Sequence, residues 1–126
     1  MGTTFLLVAL GGAIGAALRF GAGLWIVRLT GGGAFPVAIL SVNVVGSFLM
    51  GLFVVWSQHR GFSAWNPFVM TGILGGFTTF SAFSLEAVTL LERGQTGLAL
   101  AYIGASVGLS LGALALGITL ARELWA

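Results

Sequence analysis

Cysteine, lysine and aspartate are all missing from this 126-residue sequence, and its one histidine, His59, has no companion. Without cysteine there is no disulfide framework and no thiol chemistry. A lone histidine in a loop offers neither a metal site nor a triad. No Gly-rich loop ending in Gly-Lys-Ser/Thr is present, which excludes phosphate-cradling, ATP-driven work. The only acids are Glu86, Glu92 and Glu123. They form no paired-carboxylate site and no acidic ring for a cation pore, so an enzyme is not expected. The cations are five scattered arginines, an excess of two over the acids. With no basic cluster, nucleic acid is not an expected partner. Charge itself is the scarcest commodity: 6% of residues carry it, against about 25% in a soluble domain.

What is there is hydrocarbon. Hydrophobic residues make up 58% of the chain, and they fall into long runs. A bilayer core of about 30 Å needs roughly 20 apolar residues per helix. Four such spans are expected, near residues 3–27, 35–56, 66–91 and 96–120, giving a single all-α membrane domain over 1–126. The first is read as a full span rather than a signal peptide, because it lacks a basic leading region. Pro36 and Pro67 stand near two of the helix starts, where a missing N–H costs little. Trp25, Trp56, Trp65 and Trp125 stand near span ends, as an aromatic belt requires.

Two features bear on assembly. Gly104, Gly108 and Gly112 repeat at four-residue spacing, as do Gly11 with Gly15 and Gly12 with Ala16. Such stripes let helices approach closely, within one bundle or between subunits. Four spans also put Arg60 and Arg122 on one side and Arg28 and Arg93 on the other, two against two. The positive-inside rule then has almost no imbalance to act on. Insertion in both orientations, and hence an antiparallel homodimer, is compatible with that balance. So is a single orientation chosen by weaker signals.

Chemistry is concentrated in the third span. Gly75-Gly76-Phe77-Thr78-Thr79-Phe80-Ser81-Ala82-Phe83 interrupts an apolar helix with glycine and threonine at membrane depth. Irregular backbone there is tolerated only where protein, an ion or a water-filled cavity meets its N–H and C=O groups, so the third helix is expected to be broken at a candidate ion or substrate site. Asn43 lies mid-span in the second helix, with Ser47 and Gly51 on the same face. It is either a bundle-holding hydrogen bond or a donor lining an ion path. Ser106 and Ser110 form a similar pair in the fourth span, unless their hydroxyls bond back to carbonyls four residues earlier. Arg19 is either a snorkelling side chain or a positive charge at the mouth of an aqueous vestibule, drawing anions in. Phe80 and Phe83 share a helix face; their ring edges carry partial positive charge and could polarise an anion weakly. Glu86, about a turn further on, could pair with Arg19 or accept a bond from a hydroxyl.

Together these residues resemble the Fluc/CrcB family of fluoride channels over essentially the whole chain. The matching elements are the glycine-rich run ending in Arg19-Phe20, Val42-Asn43-Val44-Val45-Gly46-Ser47-Phe48, and Gly75-Gly76-Phe77-Thr78-Thr79-Phe80-Ser81-Ala82-Phe83 with trailing Glu86. The last is the most specific. The resemblance implies a dual-topology homodimer of four-helix subunits in the bacterial inner membrane, with two fluoride pathways. It implies a structural sodium ion at the dimer centre, held by the backbone carbonyls of Gly75 and Thr78. Asn43, Phe80 and Phe83 would line the ion path, Ser81, Ser106, Ser110 and Glu86 would continue a polar track, and Arg19 would sit near the vestibule. The chain departs from the family pattern at Ile39 and Ala82, where threonine is common. The expected function is passive, selective fluoride export. The alternatives are a small dual-topology proton-coupled multidrug exporter, for which Glu86 is the only available proton-exchanging carboxylate, and a non-transporting assembly subunit.

Overall fold

The computed structural model describes residues 1–125. Helix α1 spans Gly2–Thr30 and α2 spans Val37–Arg60. A single 3₁₀ turn, Ser63–Trp65, leads into a segment of π-helix, Pro67–Leu74, then α3 (Gly75–Phe77), α4 (Phe80–Glu92) and α5 (Thr96–Trp125). Four stretches are long and apolar enough to cross a membrane: Gly2–Thr30, Val37–Arg60, Ser63–Glu92 and Thr96–Trp125. The all-helical, four-span reading therefore holds. At 1.5 Å per residue the 29 residues of α1 reach about 43 Å, more than the hydrocarbon thickness.

Large apolar side chains cover the outside. Phe5 is 73% exposed and Phe20 is 70% exposed, the inverse of a soluble surface and the condition expected of chains bathed in lipid or partner. Burial inside the subunit is correspondingly sparse. Its centre is Phe83, Ala87 and Leu90 of α4 against Ala99 and Tyr102 of α5, with Phe35, Ile39 and Leu40 packed onto them from the start of α2.

Lipid tails are as apolar as leucine, so helix association relies on close backbone approach. Glycine provides it in two places. The Ser63–Glu92 span packs against α1, where a Cβ on Gly11 would stand 2.9 Å from the Gly72 Cα. The α2–α5 contact is the broadest in the subunit, and there a Cβ on Gly51 would meet the Leu114 carbonyl oxygen and, at 3.0 Å, the Ile118 nitrogen. Gly117 makes the reciprocal approach to α2. The stripe singled out in the sequence behaves differently. A Cβ on Gly104, Gly108 or Gly112 would meet nothing within 4 Å, so that face is not used within the subunit.

The π-wound segment was not legible in the sequence. Here the Gly75 N–H reaches back five residues to the Met70 carbonyl as well as to Gly72. Gly72 and Gly76, four residues apart, both lie against α1.

Candidate functional site

Between α3 and α4 the backbone leaves helical geometry. Thr78 has φ −89° and ψ 158°, and Thr79 has φ −152° and ψ 118°. Side chains meet the groups this releases. Asn43 makes a two-point bond with Thr79: the Thr79 N–H donates to Oδ1 at 2.7 Å, and Nδ2 donates to the Thr79 carbonyl at 3.0 Å. The pairing imitates what a neighbouring strand would offer. The Thr79 hydroxyl oxygen then accepts from the Ala82 N–H at 3.1 Å and caps α4. Arg19 Nε donates to the Gly76 carbonyl at 3.1 Å, and the Thr78 hydroxyl donates to the Leu74 carbonyl at 3.0 Å.

These bonds divert donors from two carbonyls. In an unbroken α-helix the Gly75 oxygen would accept from Thr79 and the Thr78 oxygen from Ala82. Those N–H groups go instead to Asn43 and to the Thr79 hydroxyl. Both oxygens lose the partner that regular winding would supply. Among the described residues no group of three His, Cys, Asp or Glu could hold a metal.

A cavity of about 300 Å³ opens beside this stretch, lined by Asn43, Ser47, Thr79, Phe80, Phe83, Ser106 and Ser110 among others. Five of the eight residues named from sequence for the ion path (Asn43, Phe80, Phe83, Ser106 and Ser110) thus share one space, with Ser47 and Thr78 beside them. The rings of Phe80 and Phe83 stand 5.4 Å apart; Phe83 is buried while Phe80 is 78% exposed. Asn43 holds the bundle together, yet Nδ2 carries two protons and only one is committed to Thr79. The serines separate from other hydroxyls in the chain. Ser84, Thr89 and Thr119 each bond back to the carbonyl four residues earlier, at 2.7–2.9 Å. Ser106 Oγ is buried with no partner. Back-bonding is not its role, and a buried hydroxyl left so costs about 1–3 kcal/mol.

Three candidates lie outside that space. Ser81 sits 3.3 Å from the Thr79 hydroxyl. Arg19 and Glu86 face a separate, larger cavity of about 700 Å³, shared with Phe35, Ile39 and the Thr30–Pro36 connector. Within the subunit Arg19 engages a backbone carbonyl of the third span.

Sequence reading also missed two side chains. Thr79 supplies a cap and, through its backbone, the anchor for Asn43. Tyr102 is fully buried, its hydroxyl close to that of Ser106 without a bond of good geometry, its ring 5.3 Å from Phe83 and 5.6 Å from Phe35. The available signal was spacing: Tyr102, Ser106 and Ser110 recur every four residues on one face of α5.

Four membrane-capable helices, with a cavity lined by residues of the second, third and fourth spans at an irregular stretch of the third, define a polytopic membrane protein. Comparison with known proteins narrows the class. The family model described as "CrcB-like protein, Camphor Resistance (CrcB)" matches residues 6–118. The chain is 61% identical over 119 residues, 94% of either chain, to a protein of Ruegeria sp. (strain TM1040) named "Fluoride-specific ion channel FluC". Proteins of the same name from Roseobacter denitrificans (58% over 123 residues, covering 97% of this chain and 98% of the relative) and Paracoccus denitrificans (52% over 123 residues, 98% of each) are similar along their whole length. This chain belongs to the CrcB family.

Proposed function

We propose that this chain forms a fluoride-selective channel that lets fluoride leave a bacterial cell passively across the inner membrane. The carrying observation is the Ser106 hydroxyl, buried without a partner in the cavity that holds Asn43 and the two phenylalanines. Fluoride is small and strongly hydrated, so a path must replace its water with donors while binding it weakly enough for release. The second Asn43 N–H and the hydroxyls of Ser47, Ser106 and Ser110 supply donors. The rings of Phe80 and Phe83 add weak polarisation through their edges. Ser81 and Glu86 extend the track, and Arg19 biases the mouth toward anions. In acid surroundings fluoride enters cells as neutral HF and dissociates inside, and a passive pore returns the trapped anion.

The reading includes a homodimer of inverted subunits whose third helix is broken at Thr78 and Thr79. Arginines balanced across the membrane support dual insertion, and the unused glycine face of α5 and the bare Phe80 ring support a partner copy. The carbonyls of Gly75 and Thr78, stripped of their helical donors, fit a hard cation such as sodium, and would hold it at the dimer centre. When bound, the ion supplies a fixed positive charge that braces the interrupted backbone. A proton-coupled exporter is less favoured, because Glu86 faces the cavity of Arg19 and not that of Asn43.

Purified protein in potassium-fluoride-loaded liposomes tests the reading. A potassium ionophore should release fluoride but not chloride from a chloride-loaded control. Drug-dependent proton flux without fluoride efflux would favour the exporter, and no flux of either kind an assembly subunit.

A further inference from the structure

Four aromatic rings run in sequence through the subunit. Phe80 touches Phe83 at 5.4 Å between centroids, Phe83 touches Tyr102 at 5.3 Å, and Tyr102 meets Phe35 edge-to-face at 5.6 Å and 87°. The ladder begins in the cavity of Asn43, through Phe80 and Phe83, and ends in the cavity of Arg19 and Glu86, through Phe35. Tyr102 is the rung between them, fully buried, its hydroxyl making no hydrogen bond of good geometry and lying within reach of the Ser106 hydroxyl one turn further along α5. On the α2 side of this junction the next residue along the Asn43 face is Ile39, which has no donor to offer.

We propose that Phe35 is a positioning residue for fluoride transfer between the two cavities, acting through Tyr102. The proposal rests on the channel reading above. The Tyr102 ring meets Phe83 at a 42° tilt and Phe35 edge-to-face. Phe35 itself sits just ahead of α2, before Pro36, and packs onto the α4–α5 core. Two ring contacts on a fully buried side chain restrict where its hydroxyl points. A donor fixed in advance needs no reorganisation as the anion arrives. Without Phe35 the tyrosine gains rotamer freedom and the donor is aimed only part of the time. Phe35 never needs to touch fluoride for this to matter.

A double-mutant cycle tests it, with fluoride efflux from liposomes as the readout and size-exclusion chromatography as the check on assembly. Phe35→Leu keeps most of the apolar volume but removes the ring. It should slow efflux roughly two- to tenfold, the factor an aromatic pair is worth. Phe35→Tyr should restore the rate, since a ring is retained. In a Tyr102→Phe background, Phe35→Leu should cause little further slowing, because the hydroxyl it aims is gone. Equal slowing in both backgrounds, or an unchanged rate in Phe35→Leu, overturns the proposal. Should Phe35→Leu fail to assemble, Phe35→Met carries the same comparison. Absence of fluoride efflux in the unsubstituted protein would overturn the channel reading itself, whereas efflux that ignores position 35 removes only the positioning role.

Discussion

At the scale of single residues, the hydroxyls divide into those satisfied by their own helix and those that no backbone carbonyl satisfies. Ser106→Ala should slow fluoride efflux by roughly ten- to a hundredfold, since a hydrogen bond to a charged group is worth about 1.5–3 kcal/mol. Thr89→Ala and Thr119→Ala, whose hydroxyls are spent on carbonyls, should leave the rate within about a factor of two of the parent; liposome efflux measures all three. Asn43→Asp should suppress passage more severely. A carboxylate about 4 Å from a passing anion repels it by roughly 4 kcal/mol at an effective dielectric of 20, and the substitution also removes the Nδ2 bond to Thr79. Phe80→Ile and Phe83→Ile should suppress flux with the dimer intact; normal rates in both would take the rings out of the path. Residue type was enough to mark Asn43, Ser106 and Ser110 one by one in advance, because polar groups in an apolar span are conspicuous, and the family resemblance was what implied that they share a path. Tyr102 and Phe35 were not conspicuous. An aromatic ring in a membrane protein is ordinary, and its significance comes from which other rings it touches, a matter of tertiary contact.

At the scale of helices, hydropathy alone revealed four membrane-capable segments, since nothing else accounts for so much hydrocarbon with so little charge. The pairing of those segments was only half visible. Gly11 and Gly15 were singled out and do face the third span. On α5, Gly117 makes the close approach to α2 while the more regular Gly104, Gly108 and Gly112 face open space. Spacing identifies a smooth stripe but not its partner. Gly51→Val should therefore force α2 from α5 and destabilise the subunit by about 1–3 kcal/mol, seen as a lower unfolding temperature in detergent. Gly108→Val should spare the four-helix chain and weaken the proposed dimer, shown by a shift to monomer in size-exclusion chromatography. The π winding of Pro67–Leu74 could not be read from sequence, because α and π turns accept the same side chains and differ only in which carbonyl each N–H selects.

At the scale of the whole molecule, the sparse core means the subunit's shape depends on what surrounds it. Replacing sodium with a large organic cation should lower both the unfolding temperature and the fluoride efflux of the purified protein, since a ligand that binds only the folded form stabilises it; indifference to the exchange would remove the Gly75 and Thr78 carbonyls from any cation site. The doubled bond from Asn43 to Thr79 reaches further still, into biosynthesis. A third span entering the bilayer by itself would expose an unmet N–H and C=O to hydrocarbon, at several kcal/mol each. Its predecessor in the chain carries the one side chain that meets both groups. The second and third spans are therefore suited to leave the translocon together as a hairpin, and Asn43→Ala should reduce the fraction of newly made chains in which the third segment becomes integrated.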